Sequence, residues 1–156
     1  MKLKLMPSIV AITASMFFSC NNKIKTDSPP SIDLSGTWQL ITGTTITKGV
    51  SVITDYTKNQ KFLKIRNNTH FAFFTHNLNS PKDSTNHFDA GGGSYTLTGN
   101  KYTEHLDFYS DKNWEGKSFD FTVNFKNDTL IQTGLEKVEK ENINRTIIEK
   151  YIKVKS

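Results

Sequence analysis

The chain has a single cysteine, Cys20, among its 156 residues. One cysteine excludes an internal disulfide bond and a metal cluster held by several thiolates, so packing and backbone hydrogen bonds must stabilise the fold. Long apolar runs are missing too: the stretch from Leu5 to Phe18 has about 14 residues, against roughly 20 for a membrane-spanning helix. The length and a hydrophobic content of 35% indicate one globular domain with a single core.

Strong charge of one sign is also lacking. The formal net charge is +5, but Lys2 and Lys4 contribute two of these charges at the very start of the chain. The remaining lysines are scattered and do not alternate with aromatic residues, as they would on a nucleic-acid-binding face. We therefore expect a solvated, lysine-rich surface and no nucleic acid partner.

The first twenty residues have the layout of a secretory signal peptide: a basic start, a short apolar stretch and small residues near the end. The sequence "FFSC" at 17–20 resembles the bacterial lipobox, which implies that residues 1–19 are a lipoprotein signal peptide and that Cys20 is lipidated. An ordinary signal peptide with a cysteine near the cleavage site is the alternative. Several acyl chains would hold the protein at a membrane.

Residues 20–33, "CNNKIKTDSPPSID", are polar, contain two adjacent prolines and show no periodicity. This composition predicts a lipidated tether between the membrane and the folded domain. The segment lacks the run of acidic residues that, by resemblance to known bacterial surface lipoproteins, marks a lipoprotein for export to the cell surface. We therefore expect a cell-envelope protein anchored to the outer membrane, with the periplasmic face slightly favoured over the cell surface.

From residue 34 onward, apolar and polar residues alternate with a period of two, which is typical of half-buried strands. In "KSFDFTVNFKN", Phe119, Phe121 and Val123 alternate with polar residues. Short turn sequences such as Gly99-Asn100 recur between such runs. The pattern predicts an all-β, antiparallel up-and-down barrel of about eight to nine strands. The predicted strands span 36–42, 50–55, 60–66, 69–76, 93–98, 101–109, 117–126, 129–135 and 146–154.

A hairpin turn at Gly99-Asn100 sets a register for "GGGSYTLTGNKYTEHLDFY" at 91–109. In this register Tyr95 faces Glu104, Gly91 faces Phe108, and the apolar side chains share the inward face. Glu104 is the one carboxylate on that face, and a buried carboxylate needs a partner. Contact with a ligand and a structural hydrogen bond from Tyr95 are both open at this point.

Catalytic and metal-binding patterns are not found. The four histidines, His70, His76, His87 and His105, lack metalloprotease spacing, and two on one strand lie too far apart to share an ion. Glu104 has no identifiable inward carboxylate partner, which argues against glycoside hydrolysis. We expect no metal site, no cofactor and no enzymatic activity.

The sequences "GTWQL" at 36–40, "HFAFF" at 70–74, "GGGSYTLTGNKYTEHLDFY" at 91–109 and "EKYIKV" at 149–154 resemble the lipocalin-like domain of Bacteroides-type lipoproteins. The resemblance covers residues 34–156 and implies a barrel plugged at one end by Trp38. It also implies a cation across the indole, for which Lys153 stands in place of the usual arginine; Arg66 and Arg145 are alternatives.

Together these features predict a lipid-anchored barrel that binds a small, largely apolar molecule. The alternative is a barrel filled with side chains that acts as a protein-interaction module or as an accessory subunit of an envelope complex, through the loop at 77–90 with Phe88 exposed. The candidate ligand-binding residues are Trp38, Tyr95, Tyr102, Glu104, Phe108, Phe119 and Phe121.

Overall fold

The computed structural model describes residues 32–78 and 87–155. The predictions for Cys20, the signal peptide and most of the tether therefore lie outside the described residues, as does part of the loop at 77–90. Nine strands and one short 3₁₀ helix make up the described chain. Their bounds are β1 Gly36–Thr47, β2 Val50–Asp55, β3 Gln60–Arg66, β4 His70–Asn77, β5 Phe88–Thr98, β6 Lys101–Tyr109, β7 Lys117–Lys126, β8 Thr129–Val138, the 3₁₀ helix Glu139–Glu141, and β9 Ile143–Lys153.

The strands form one antiparallel sheet in the order β2-β1-β3-β4-β5-β6-β7-β8-β9. Pairing of β1 with β9 closes eight of them into a barrel, and β2 adds an extra strand beside β1. Residues Gly36–Gln39 of β1 pair with β3, whereas Thr42–Thr47 pair with β2. The prediction of an all-β up-and-down barrel is confirmed. Closure pairs both edges of most strands, and β2, which among the described strands pairs only with β1, keeps one free edge.

Period-two alternation explains how the strands bury their side chains. On β7, Phe119, Phe121 and Val123 are buried, while the residues between them are exposed. Burying one phenylalanine contributes about 2 kcal/mol, so this strand alone supplies a substantial part of the core. The same alternation directs Leu130 and Tyr151 of the neighbouring strands into the barrel.

A β-bulge interrupts the pairing of β5 with β6. Gly93 faces Leu106 as predicted, but beyond the bulge Gly92 faces Phe108 and Gly91 faces Tyr109. The prediction that Phe108 points inward is therefore wrong: its side chain is 71% exposed. The bulge places one extra residue in β6, between Leu106 and Phe108. At Gly93, opposite the bulge, a Cβ atom would lie 1.9 Å from the His105 carbonyl oxygen, so only glycine fits there.

Trp38 closes one end of the barrel. Its indole Nε1 donates a hydrogen bond of 2.8 Å to the Leu34 carbonyl, and Lys153 Nζ lies 5.4 Å from the ring centroid. Gly36 has φ +116°, and a Cβ there would meet Lys153 Cε at 2.8 Å. The glycine two residues before the tryptophan thus lets the lysine cross the indole.

Candidate functional site

The opposite end of the barrel contains a cavity of about 340 Å³. It lies where β3, β5, β7 and β9 begin and β4, β6 and β8 end, so the segments at 56–59, 110–116 and 139–142 surround its mouth. The side chains that line it are Tyr56, Gln60, Phe62, Lys64, Phe73, Thr75, His87, Asp89, Glu104, Leu106, Tyr109, Trp114, Phe119, Phe121, Gln132, Glu136, Arg145, Ile147 and Glu149.

Aromatic rings form much of the cavity wall. Phe62 and Phe73 stack with their centroids 5.7 Å apart and their planes 6° from parallel. On the other side, Trp114 lies 6.3 Å from Tyr109 and 5.7 Å from Phe119. Ring contacts of this kind hold the wall in one shape and give a ligand flat apolar surfaces.

An ion pair lies in the interior at the inner end of the cavity. Lys64 Nζ, from β3, donates a hydrogen bond of 2.7 Å to Glu104 Oε1, from β6. The Lys64 ammonium also lies 5.4 Å from the Phe71 ring centroid and 5.8 Å from that of Tyr151. The cation therefore has both a carboxylate and aromatic faces to replace the water that it loses on burial.

Beyond this ion pair, Arg66 fills the barrel. Its Nε donates to the Tyr102 hydroxyl at 3.2 Å, and its Nη2 donates to Gln132 Oε1 at 2.9 Å. The guanidinium lies 5.2 Å from the Tyr102 ring centroid and 5.4 Å from that of Tyr151. This packing separates a solid half of the barrel, towards Trp38, from the half that holds the cavity.

Glu149, on β9, is a half-buried carboxylate in the cavity wall. The Tyr151 hydroxyl donates to its Oε2 at 2.8 Å, and no cation forms an ion pair with it among residues 32–78 and 87–155. Burial raises the pKa of Glu149, and the negative charge of Glu104 raises it further, against the attraction of Lys64.

The mouth of the cavity has its own polar contacts. Arg145 Nε donates to Glu136 Oε2 at 2.6 Å, and its guanidinium lies 5.8 Å from the Trp114 ring centroid. The Tyr109 hydroxyl donates to Asp89 Oδ2 at 2.8 Å. Burial and the carboxylate of Asp89 together raise the pKa of the Tyr109 phenol, so it remains a hydrogen-bond donor at neutral pH.

The candidate residues from the sequence fall into three groups. Glu104, Phe119 and Phe121 line the cavity. Others belong to the solid half: Trp38 and Tyr102 are buried there. Tyr95 lies beside Tyr102, with the ring centroids 5.1 Å apart. The alternative of a structural hydrogen bond from Tyr95 to Glu104 is wrong, because the Tyr95 hydroxyl donates to the Asn67 carbonyl at 2.6 Å while Glu104 accepts from Lys64. Phe108 forms the third group, on the outside of the barrel.

Sequence reasoning missed the cavity residues of β3 and β9. On β3, "QKFLKIR", the inward side chains include Phe62, Lys64 and Arg66, whereas Leu63 and Ile65 face outward, so the apolar pattern favours the wrong face. On β9, Glu149 shares a face with Ile147 and Tyr151, and that alternation was available from the sequence.

The expectation that Glu104 has no inward carboxylate partner is also wrong. Asp89, Glu136 and Glu149 line the same cavity.

Within the described ranges, no three histidine, cysteine or acidic side chains come close enough to hold a metal ion. No helix in those ranges is long and apolar enough to cross a membrane.

A family model described as a domain of unknown function, DUF4488, matches residues 33–156. The chain belongs to this family. Its closed barrel is lipocalin-like, as the sequence resemblance indicated. No curated protein matches the chain.

Two solved structures from Bacteroides are similar to this barrel. One is described as a lipocalin-like protein from Bacteroides uniformis: it has 18% identity and a TM-score of 0.48, and the match covers 78% of this chain and 98% of that one. The other is an uncharacterized protein from Bacteroides eggerthii, with 13% identity, a TM-score of 0.44 and coverage of 78% and 100%.

Proposed function

We propose that the protein is a lipid-anchored, lipocalin-like lipoprotein of the cell envelope that binds a small, largely apolar molecule in its cavity. The observation that supports this most directly is the aromatic-walled cavity of about 340 Å³ at one end of an otherwise solid barrel. Pockets of this size hold drug-sized molecules, and aromatic rings beside polar groups that are fixed by hydrogen bonds are typical of binding sites.

The polar groups of the cavity favour binding over catalysis. Glu104 accepts a hydrogen bond from Lys64, Asp89 from Tyr109, Glu136 from Arg145, and Glu149 from the Tyr151 hydroxyl. Each carboxylate is thus held by a neighbouring side chain, and none is arranged with a nucleophile. We propose that the protein binds its ligand without converting it and needs no cofactor.

Native mass spectrometry of the protein purified from its own envelope tests the binding proposal. We expect a bound small molecule on the wild type and its loss in Ile147→Trp, because Ile147 lines the cavity and the larger indole would fill it. Ile65→Trp, on the outer face, is the matched control and should keep the ligand. A wild type that is repeatedly empty contradicts the proposal.

The membrane part of the proposal rests on the sequence around Cys20. Labelled palmitate should be incorporated into the wild-type protein and not into Cys20→Ala. Incorporation that survives this substitution contradicts lipidation at Cys20. Protease treatment of intact cells that make the wild-type protein locates the barrel. Protection from the protease supports the periplasmic face of the outer membrane, and digestion supports the cell surface.

A second candidate function, association with an envelope protein, is favoured by apolar side chains outside the barrel. Phe88 and Phe108 are 64% and 71% exposed, and Phe88 lies with Leu63, Phe74 and Leu78 around a shallow depression. Exposed apolar patches of this kind often mark interaction sites. Cross-linking in cells tests the idea: a cross-linked partner should be lost in Phe88→Ser/Phe108→Ser and kept in the exposed control Lys101→Ser.

A further inference from the structure

We propose that the cavity selects an organic cation: an amine with an apolar body whose ammonium group binds Glu149, with a hydrogen-bond acceptor beside the charge for Gln132. The inference rests on the proposed binding function and specifies the chemical class of the ligand. It follows from the balance of charge in the cavity, from the surroundings of Glu149 and from an unpaired donor next to it.

Acidic side chains outnumber basic ones in the cavity wall. Asp89, Glu104, Glu136 and Glu149 line it, together with only two lysine or arginine residues. Both of these cations form ion pairs, Lys64 with Glu104 and Arg145 with Glu136. Among the described residues, Asp89 and Glu149 are left without a cationic partner. A third interior cation, Arg66, lies in the solid half and donates to Tyr102 and Gln132. Four carboxylates therefore face three cations, and the remaining negative charge favours a positively charged ligand over an anion.

Glu149 is the better placed of these two carboxylates. Asp89 lies at the mouth and is bound by Tyr109. Glu149 lies deeper, opposite the buried Gln132 and within the influence of Lys64 and Glu104, and among the described side chains only the Tyr151 hydroxyl donates to it. A half-buried carboxylate without a cation is costly. A ligand ammonium would remove this cost, and the aromatic wall would receive the rest of the molecule and stabilise the charge through its ring faces.

Gln132 supplies an independent observation at the same place. It lies directly opposite Glu149 in the pairing of β8 with β9, is fully buried and lines the cavity. Its Oε1 accepts from Arg66, which fixes the orientation of the amide, and its Nε2 has no acceptor among the residues that the structure describes. An ether, hydroxyl or carbonyl oxygen next to the ligand ammonium would satisfy this donor.

The charge preference is tested with three probes of equal size: 3-phenylpropylamine, 3-phenylpropan-1-ol and 3-phenylpropanoate. Each is titrated by calorimetry at pH 7.5 into the lipidated protein in nanodiscs, and empty nanodiscs are subtracted. We expect the amine to bind at least about tenfold more tightly than the alcohol, and the carboxylate to bind most weakly. In Glu149→Gln the preference for the amine should fall below about threefold, because the neutral amide does not attract the ammonium.

Glu139→Gln, in the exposed 3₁₀ helix, is the matched control and should keep the wild-type preference. A circular dichroism spectrum that matches the wild type shows that Glu149→Gln is folded. Wild-type protein that binds the alcohol or the carboxylate as tightly as the amine overturns the cation inference and leaves the proposed function standing. A preference that survives Glu149→Gln overturns the role of Glu149, and failure of all three probes to bind overturns both proposals.

Discussion

Lys64 and Glu104 form an ion pair 2.7 Å long, with side chains only 5% and 9% exposed. The two residues are 40 positions apart in the sequence and belong to β3 and β6, on opposite sides of the closed sheet. The pair therefore crosses the interior of the barrel. It lies at the boundary between the solid half and the cavity, and it fixes the inner end of the site.

Replacing one member of this ion pair should lower the free energy of unfolding much more than replacing both members. Lys64→Met leaves Glu104 buried without its cation, and we expect the free energy of unfolding to fall by about 3–5 kcal/mol. The double variant Lys64→Met/Glu104→Met replaces the pair with apolar groups and should recover most of that loss. Urea denaturation of the wild type, both single variants and the double variant measures the coupling, and additive losses would contradict a direct interaction.

Glu149→Gln should change the pH dependence of stability. Because the pKa of Glu149 is raised in the folded protein, its contribution to stability is complete below the unfolded-state value of about 4.3 and is lost as pH rises through the folded value. Glutamine does not ionise. We therefore expect the variant to have a higher Tm than the wild type at pH 8, and this advantage to disappear at pH 4.

The charged and titratable groups that act on Glu149 are Lys64, Glu104, Glu136 and Tyr151. All four are present in the wild type and in the variant, so the difference between the two thermal scans isolates Glu149 itself. The exposed control Glu139→Gln should show no gain at pH 8. A variant that is less stable than the wild type at pH 8 would contradict the raised pKa.

Phe119 and Phe108 give a matched test of the bulge between β5 and β6. Phe119 is buried, and Phe119→Ala should lower the free energy of unfolding by about 3–5 kcal/mol. Phe108→Ala should change it by less than about 0.5 kcal/mol, because the side chain is already in solvent. Chemical denaturation measures both changes. A large loss of unfolding free energy in Phe108→Ala would mean that β5 and β6 pair without the bulge.

The contact between the Lys153 ammonium and the Trp38 ring should contribute modestly to the free energy of unfolding. Lys153→Met removes the charge while keeping much of the side-chain volume, and we expect a loss of about 0.5–1 kcal/mol in the free energy of unfolding. Lys153→Arg should retain the stability, since a guanidinium also stacks on an indole. Lys155→Met, two residues further along, is the control, and an equal loss there would argue against the contact.

Local pattern was sufficient for most of the fold. The bounds of β2, β3, β6 and β7 agree with the prediction because turn residues or a change of pattern mark both ends. β5 begins five residues before its predicted start, since "FDAGG" has little apolar alternation and is extended only because β4 pairs with it. Pairing across the sheet, which a single sequence does not display, decided that case.

The candidate site was harder to predict because its residues meet only on barrel closure. The side chain that binds Glu104 comes from β3, where Leu63 and Ile65 face outward, so the pattern did not predict that Lys64 faces inward. The bulge adds one residue without any change in the alternation of "EHLDFY", which is why Phe108 was assigned to the wrong face. Phe119 and Phe121 were found because β7 alternates without interruption, and Glu104 was found because it lies between the hairpin turn and the bulge, where the predicted register holds.

The closed end of the barrel also fixes how the molecule is presented. The described chain enters at Ile32, two residues before the Leu34 carbonyl that binds Trp38, and its last strand ends at Lys153, beside the Trp38 ring. Both ends therefore lie opposite the mouth of the cavity. A chain attached to a surface through the residues before Ile32 would have its attachment point at the end opposite the cavity mouth. A carboxyl-terminal fusion partner would join at the same closed end, away from the mouth.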